Sequence, residues 1–155
     1  MSAASDYSGE LLRALIAESE ARSPDEACGL VFEGPTGPRV QPIANALDRY
    51  HARDPNAFPR TARTGYFMDP KEQLAALEAA EQAGERLCAI FHSHVEVGAY
   101  FSDEDRAMAL TDEGEPLQPG VEYLVLSVRG GRCDAVKGFK LLGGGQSSER
   151  DLPLP

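Results

Sequence analysis

Leu11, Leu12, Leu15 and Ile16 recur at helical spacing with Glu10, Arg13 and Glu18 opposite, and Pro24 stands just past the end of that periodicity. The pattern predicts an amphipathic surface helix. Residues 27–32 (ACGLVF) form a short apolar run closed by Glu33-Gly34-Pro35, and an extended pattern resumes over 39–47 after Thr36-Gly37-Pro38, which predicts a two-stranded hairpin. From 48 to 64 there is no usable period, Pro55 and Pro59 interrupt the chain, and arginine is locally enriched, so this segment reads as a long loop available for substrate contact. Residues 65–68 read as a strand. Asp69-Pro70-Lys71-Glu72 then supplies an N-cap, a first-turn proline and a glutamate three after the cap, opening a helix whose buried stripe is read as Leu74, Leu77 and alanines, ending at Gly84.

The continuous apolar run at 87–91 (LCAIF) predicts a central buried strand that delivers His92-Ser93-His94 at its C-terminal end. Ser102-Asp103-Glu104-Asp105 opens another helix. Residues 121–128 (VEYLVLSV) carry a strong strand signal, Gly130-Gly131 a tight turn, and 133–142 the partner strand. Residues 143–155 are a tail or a terminal edge strand. The sum is an α/β domain over 1–155, with its core at about 8–142, a mixed central sheet and two or three main helices.

Composition narrows the chemistry. With 155 residues the chain can bury a full core without staples, and no apolar run approaches the length that spans a bilayer, about eighteen residues. The N-terminus carries acids where a signal peptide carries basic residues, which reads as cytoplasmic. A formal charge of −10 repels phosphate backbones and anionic lipid, so partners are expected among proteins and small molecules, with no nucleic acid and no membrane. Cys28, Cys88 and Cys133 are widely spaced with no C-x-x-C pair, which argues against a disulfide framework and a thiolate metal site. Cys28 reads as a packing residue and His51 as solvated.

Alternate side chains of a strand share a face, so His92 and His94 can share one metal ion while Ser93 points away. Asp105, in the first turn of the next helix, can supply a third ligand. Two imidazoles and one carboxylate leave an open position for water, the mark of a catalytic zinc. Such a water needs a base that is not itself a ligand, and Glu26, directly before the buried run at 27–32, is the candidate. Ser102 can donate to the oxyanion, and Tyr100 and Phe101 are candidates for lining the substrate cleft.

Glu26 followed by Cys28-Gly29, then His92-x-His94, seven residues, Ser102, two residues and Asp105, closely resembles the JAMM motif of the JAB/MPN+ metalloproteases. The resemblance runs from about 26 to 142 and implies a cytidine-deaminase-like α/β/α sandwich. It implies one zinc per chain on His92, His94 and Asp105, Glu26 as general acid/base acting on a zinc-bound water, and Ser102 at the tetrahedral intermediate. Many members carry proline directly after the second histidine and directly before the serine, where this chain has Val95 and Phe101. Short stand-alone members are similar to enzymes that trim small ubiquitin-like or sulfur-carrier proteins, so the implied activity is a peptidase or isopeptidase acting after a C-terminal Gly-Gly-like tail. The alternative is a non-catalytic MPN scaffold, members of which usually lack a metal ligand. A zinc nucleoside deaminase on a related fold would need a P-C-x-x-C pair that this chain lacks.

Overall fold

The computed structural model describes residues 7–155; the first six positions of the acidic N-terminus lie outside the described residues. Helix α1 (Gly9–Arg22) starts at Ser8, whose hydroxyl accepts from the Leu11 amide. The hairpin follows as β1 (Cys28–Gly34) and β2 (Gly37–Ile43), then α2 (Leu47–Arg53) and α3 (Pro70–Gln82). Strand β3 (Arg86–Val95) carries the histidines, α4 (Asp103–Ala109) follows it, and β4 (Glu122–Arg129), β5 (Arg132–Gly143) and β6 (Gln146–Leu152) complete the chain.

Among the described residues six strands lie in the order β2-β1-β3-β4-β5-β6, with β3 and β4 parallel and the other neighbours antiparallel. Alternation divides the core in two. Val31, Ala89, Phe91, Leu124 and Leu126 face Leu11, Leu12 and Leu15 of α1, while Leu30, Phe32, Ile90, Tyr123 and Val125 face Ala80 of α3 and Ala109 of α4. The result is an α/β/α sandwich. Because Ile90 points to the second face, His92 and His94, two and four residues on, point there too.

Three expectations change. Residues 48–64 are not loop throughout, because α2 occupies Leu47–Arg53. Only Leu47 of that helix is buried, so no apolar period marks it, and its start is fastened by Asn45 Oδ1, which accepts from the Leu47 amide. Residues 65–68 make one isolated bridge, Asn45 with Met68, instead of a strand. In α3, Leu74 is 58% exposed, and the packed face is Ala76, Leu77 and Ala80. Leu74 stands about 120° around the helix from that face.

Gly29, beside the site, is required by close approach: a methyl there would stand 2.5 Å from the Gln41 carbonyl oxygen and 2.6 Å from the buried Phe91 ring. Gly29→Ala is therefore expected to cost about 1–3 kcal/mol in urea denaturation, the usual penalty for overpacking. Unchanged stability would show that the β1–β2 pairing can open to admit a methyl.

Candidate metal centre

Three side-chain atoms meet at the end of β3. His92 Nε2 is 3.0 Å from Asp105 Oδ2, His94 Nε2 is 3.2 Å from the same oxygen, and the two Nε2 atoms are 3.1 Å apart. All three residues are buried, His92 completely and Asp105 to 7% exposure. Asp105 is brought there by its helix start. The Ser102 hydroxyl accepts from the Asp105 amide and the Asp105 carboxylate accepts from the Ser102 amide, so the capping box that begins α4 also aims Oδ2 at the imidazoles.

The imidazoles are oriented by their surroundings. His94 Nδ1 donates to the Gly98 carbonyl at 3.0 Å, which leaves the Nε2 lone pair facing the centre. His92 is stacked on Tyr66, with ring centroids 4.5 Å apart, while its Nδ1 is buried with no partner among the described residues. Burial holds His92 below the ordinary histidine range, against the pull of Asp105. Burial alone would push Asp105 upward, but hydrogen bonding from His92 and from the Ser102 amide overrides it and keeps the carboxylate ionised well below its usual range.

A lone pair and an anionic oxygen facing each other at 3.2 Å form an arrangement that a cation relieves. Tetrahedral nitrogen and oxygen ligands of zinc stand about 3.3 Å from one another. The observed spacing of 3.0–3.2 Å is that of a set able to hold one such ion.

Glu26 is 5% exposed and offers an oxygen within 4.8 Å of the histidine nitrogens, without a hydrogen bond to either. Burial, then the negative charge of Asp105, pushes its carboxyl up to about 9, against the opposing influence of Arg60. Neighbours that carried no motif signal fix its place. Ser93, between the two histidines, accepts from the Ala27 amide through its hydroxyl at 2.7 Å and donates its own amide to the Ala27 carbonyl at 2.9 Å. Asn45 uses its whole side-chain amide: Nδ2 donates to the carbonyls of Glu26 and Gly65, and Oδ1 accepts from the amides of Leu47 and Phe67. An asparagine just before a helix is the ordinary sign of a cap, and nothing in the sequence separates a cap from a clamp on a distant backbone carbonyl.

A cleft of about 740 Å³ opens over these groups, lined by Glu26, His94, Tyr100, Ser102 and Asp105 together with Arg60, Arg63 and Tyr66. Tyr100 is 49% exposed and meets His94 edge-on at 4.8 Å between ring centroids. Phe101 turns away from the cleft and packs on Tyr123 and Phe139, each at 5.3 Å. Cys28, pushed up to about 12 by burial, is an inert packing thiol. His51 is half-buried, its Nδ1 donating to the Phe58 carbonyl at 2.7 Å.

Residues 8–137 match the family described as prokaryotic homologs of the JAB domain. The chain belongs to that family. Among similar members, the CysO-cysteine peptidase of Mycobacterium tuberculosis is 29% identical over 140 residues, spanning 90% of this chain and 84% of the relative. The desampylase of Haloferax volcanii is 33% identical over 107 residues, 69% of this chain and 66% of the relative. Two solution structures share the fold of this family member. A Desulfitobacterium hafniense protein has a TM-score of 0.64 at 24% identity, over 91% of this chain and 86% of its own. A Salinibacter ruber protein has a TM-score of 0.56 at 21% identity, over 96% and 90%. No helix among the described residues is long and apolar enough to cross a membrane.

Proposed function

We propose that this chain is a zinc-dependent peptidase that hydrolyses the amide bond following the Gly-Gly-like tail of a small ubiquitin-like or sulfur-carrier protein. His92, His94 and Asp105 hold the ion and Glu26 moves the proton. The observation that carries this reading is the unequal placing of two buried carboxylates. Asp105 touches both imidazoles and is held ionised, whereas Glu26 stands off from them and is pushed toward its protonated form. A ligand needs the first environment; a group that takes up and returns a proton near neutral pH needs the second.

An ion bound there supplies Lewis acidity to a carbonyl oxygen and lowers the pKa of a bound water. With a cation's charge beside it favouring the carboxylate, Glu26 in its ionised form would accept the proton of the attacking water and deliver it to the leaving nitrogen, so that one water is consumed, a C–O bond replaces the C–N bond, and an amine departs. The Ser102 oxygen already accepts from the Asp105 amide, which leaves its hydroxyl hydrogen to donate to the carbonyl oxygen as charge develops there. Tyr100, on the cleft wall, bounds the groove for a tail that has no side chains of its own. Phe101 supports the wall from behind. The names of the two curated relatives support a carrier-type substrate. We read the chain as a single domain over 1–155, in a cytoplasmic setting that accords with three free cysteines.

Metal analysis of the purified protein should find one zinc per chain. Incubation with Gly-Gly carriers bearing C-terminal adducts, followed by intact mass, should show loss of the adduct, arrest by a chelator and restoration by zinc. A protein that binds no metal and leaves every adduct intact would instead be an MPN-type scaffold.

A further inference from the structure

Two cations line the cleft, Arg60 and Arg63, against three carboxylates, Glu26, Glu104 and Asp105. On a chain with net charge −10, an anionic substrate end meets a repelling overall field, and these guanidinium groups are the cations the cleft offers it. They differ in engagement. Arg60 donates to the Thr64 carbonyl and to Glu104 Oε1, each at 2.8 Å, and so already presents itself to a carboxylate. Arg63 has no hydrogen bond or ion-pair partner among the described residues.

The segment bearing both is anchored directly to Glu26. The Glu26 amide donates to the Ala62 carbonyl at 2.7 Å, the Ala62 amide donates to Asp48 Oδ1 at 2.8 Å, and Ala62 is buried. Arg60 and Arg63 therefore lie on either side of Ala62, whose carbonyl accepts from the backbone amide of the proton carrier. Packing of Tyr50, Phe58 and Phe67, with centroids 4.8–5.5 Å apart, stiffens the same stretch. The raised carboxyl of Glu26 is drawn downward by Arg60, which is consistent with their proximity.

Glu26 hands its proton to the leaving nitrogen, so the atoms bonded to that nitrogen lie beside this segment. In a released α-amino acid the carboxylate carbon is about 2.5 Å from the nitrogen. In an isopeptide the leaving nitrogen is a lysine ε-amine, whose carbonyl carbon is six bonds away and, inside a protein, is an uncharged amide. Only the first places an anion where the arginines are.

We propose that Arg60 and Arg63 form the subsite for the free α-carboxylate of the residue released, so that the chain removes a single C-terminal amino acid from its carrier in preference to cutting a side-chain isopeptide. This rests on the hydrolytic reading above. The test uses Glu26→Gln protein, which binds without turnover, titrated by calorimetry with a ubiquitin-like carrier ending Gly-Gly-Ala, prepared as the free acid and as the C-terminal amide. The acid should bind at least about tenfold more tightly, the worth of one charge-assisted contact, and Arg60→Ala with Arg63→Ala in the same background should erase the difference. Equal binding of acid and amide, or a preference that survives both substitutions, overturns the subsite and leaves the hydrolytic reading standing. Failure of both forms to bind sinks the carrier reading itself, and the subsite with it.

Discussion

Glu26→Gln is expected to lower kcat/KM on a carrier adduct by roughly 10²- to 10⁴-fold while the chain keeps one zinc. Glutamine preserves shape but cannot accept and return a proton, and in the proposed mechanism Glu26 is not a ligand. The result also decides between two ligand sets, because Glu26, His92 and His94 by themselves bring three donor atoms within 4.8 Å of one another. Asp105 is favoured as the third ligand, since its oxygen is 3.0 and 3.2 Å from the two nitrogens, whereas Glu26 makes no hydrogen bond to either. If Glu26→Gln lost its zinc together with its activity, the assignment would pass from Asp105 to Glu26.

The same substitution should stabilise the metal-free protein at alkaline pH. The folded carboxyl is pushed up to about 9 from an ordinary 4.5, so between those values the folded chain holds a proton that the unfolded chain has released. Folding is then opposed increasingly as pH rises from 4.5 through 9. Removing the titrating group should raise stability by about 1–3 kcal/mol at pH 8 and by little at pH 5, since each tenfold difference in proton affinity between the folded and unfolded chains is worth about 1.4 kcal/mol. Urea denaturation of both proteins in chelator at the two pH values measures it, and a gain independent of pH would mean that Glu26 is not held protonated. Stability surrendered to keep a buried carboxyl is the pattern expected where a site is built for proton transfer.

Asp105→Ala is expected to reduce zinc from one per chain to below about a tenth at equal free metal, and activity to below about 10⁻³ of wild type. The Ser102 cap on the position-105 amide survives the change, so α4 should persist with a loss of about 1 kcal/mol from the other half of the capping box. Circular dichroism and metal analysis on one sample separate the two effects. Full zinc occupancy in a folded Asp105→Ala protein would remove Asp105 from the ligand set. Together the two variants form a crossed test: one keeps the ion and loses the proton carrier, the other keeps the carboxyl of Glu26 and loses the ion.

Helices α1, α3 and α4 and strands β1, β3 and β4 were readable because each writes its own period or cap into neighbouring residues. Ser102 and Asp105 illustrate this, one local device both starting a helix and aiming a carboxylate. The two histidines share a face through strand alternation alone. What escaped reading depended on distant partners. Helix α2 buries only Leu47 and so shows no stripe, and Leu74 faces outward because α3 meets the sheet through Ala76, Leu77 and Ala80. Asn45 acts on Glu26, Gly65 and Phe67, up to 22 positions away. Phe101 has the same local appearance as Tyr100, yet one packs inward and the other lines the cleft.

By itself, then, the sequence determined the α/β alternation, the family motif and the sharing of a face by His92 and His94, since spacing along one strand or one turn is a covalent property. Tertiary structure alone decided that Glu26 stands off while Asp105 makes contact, that Asn45 and Ser93 fasten the backbone of Glu26 and Ala27, and that Arg60 and Arg63 share the cleft with Glu26. Those relations join residues far apart along the chain, and only packing the layers of the sandwich together sets the distances between them.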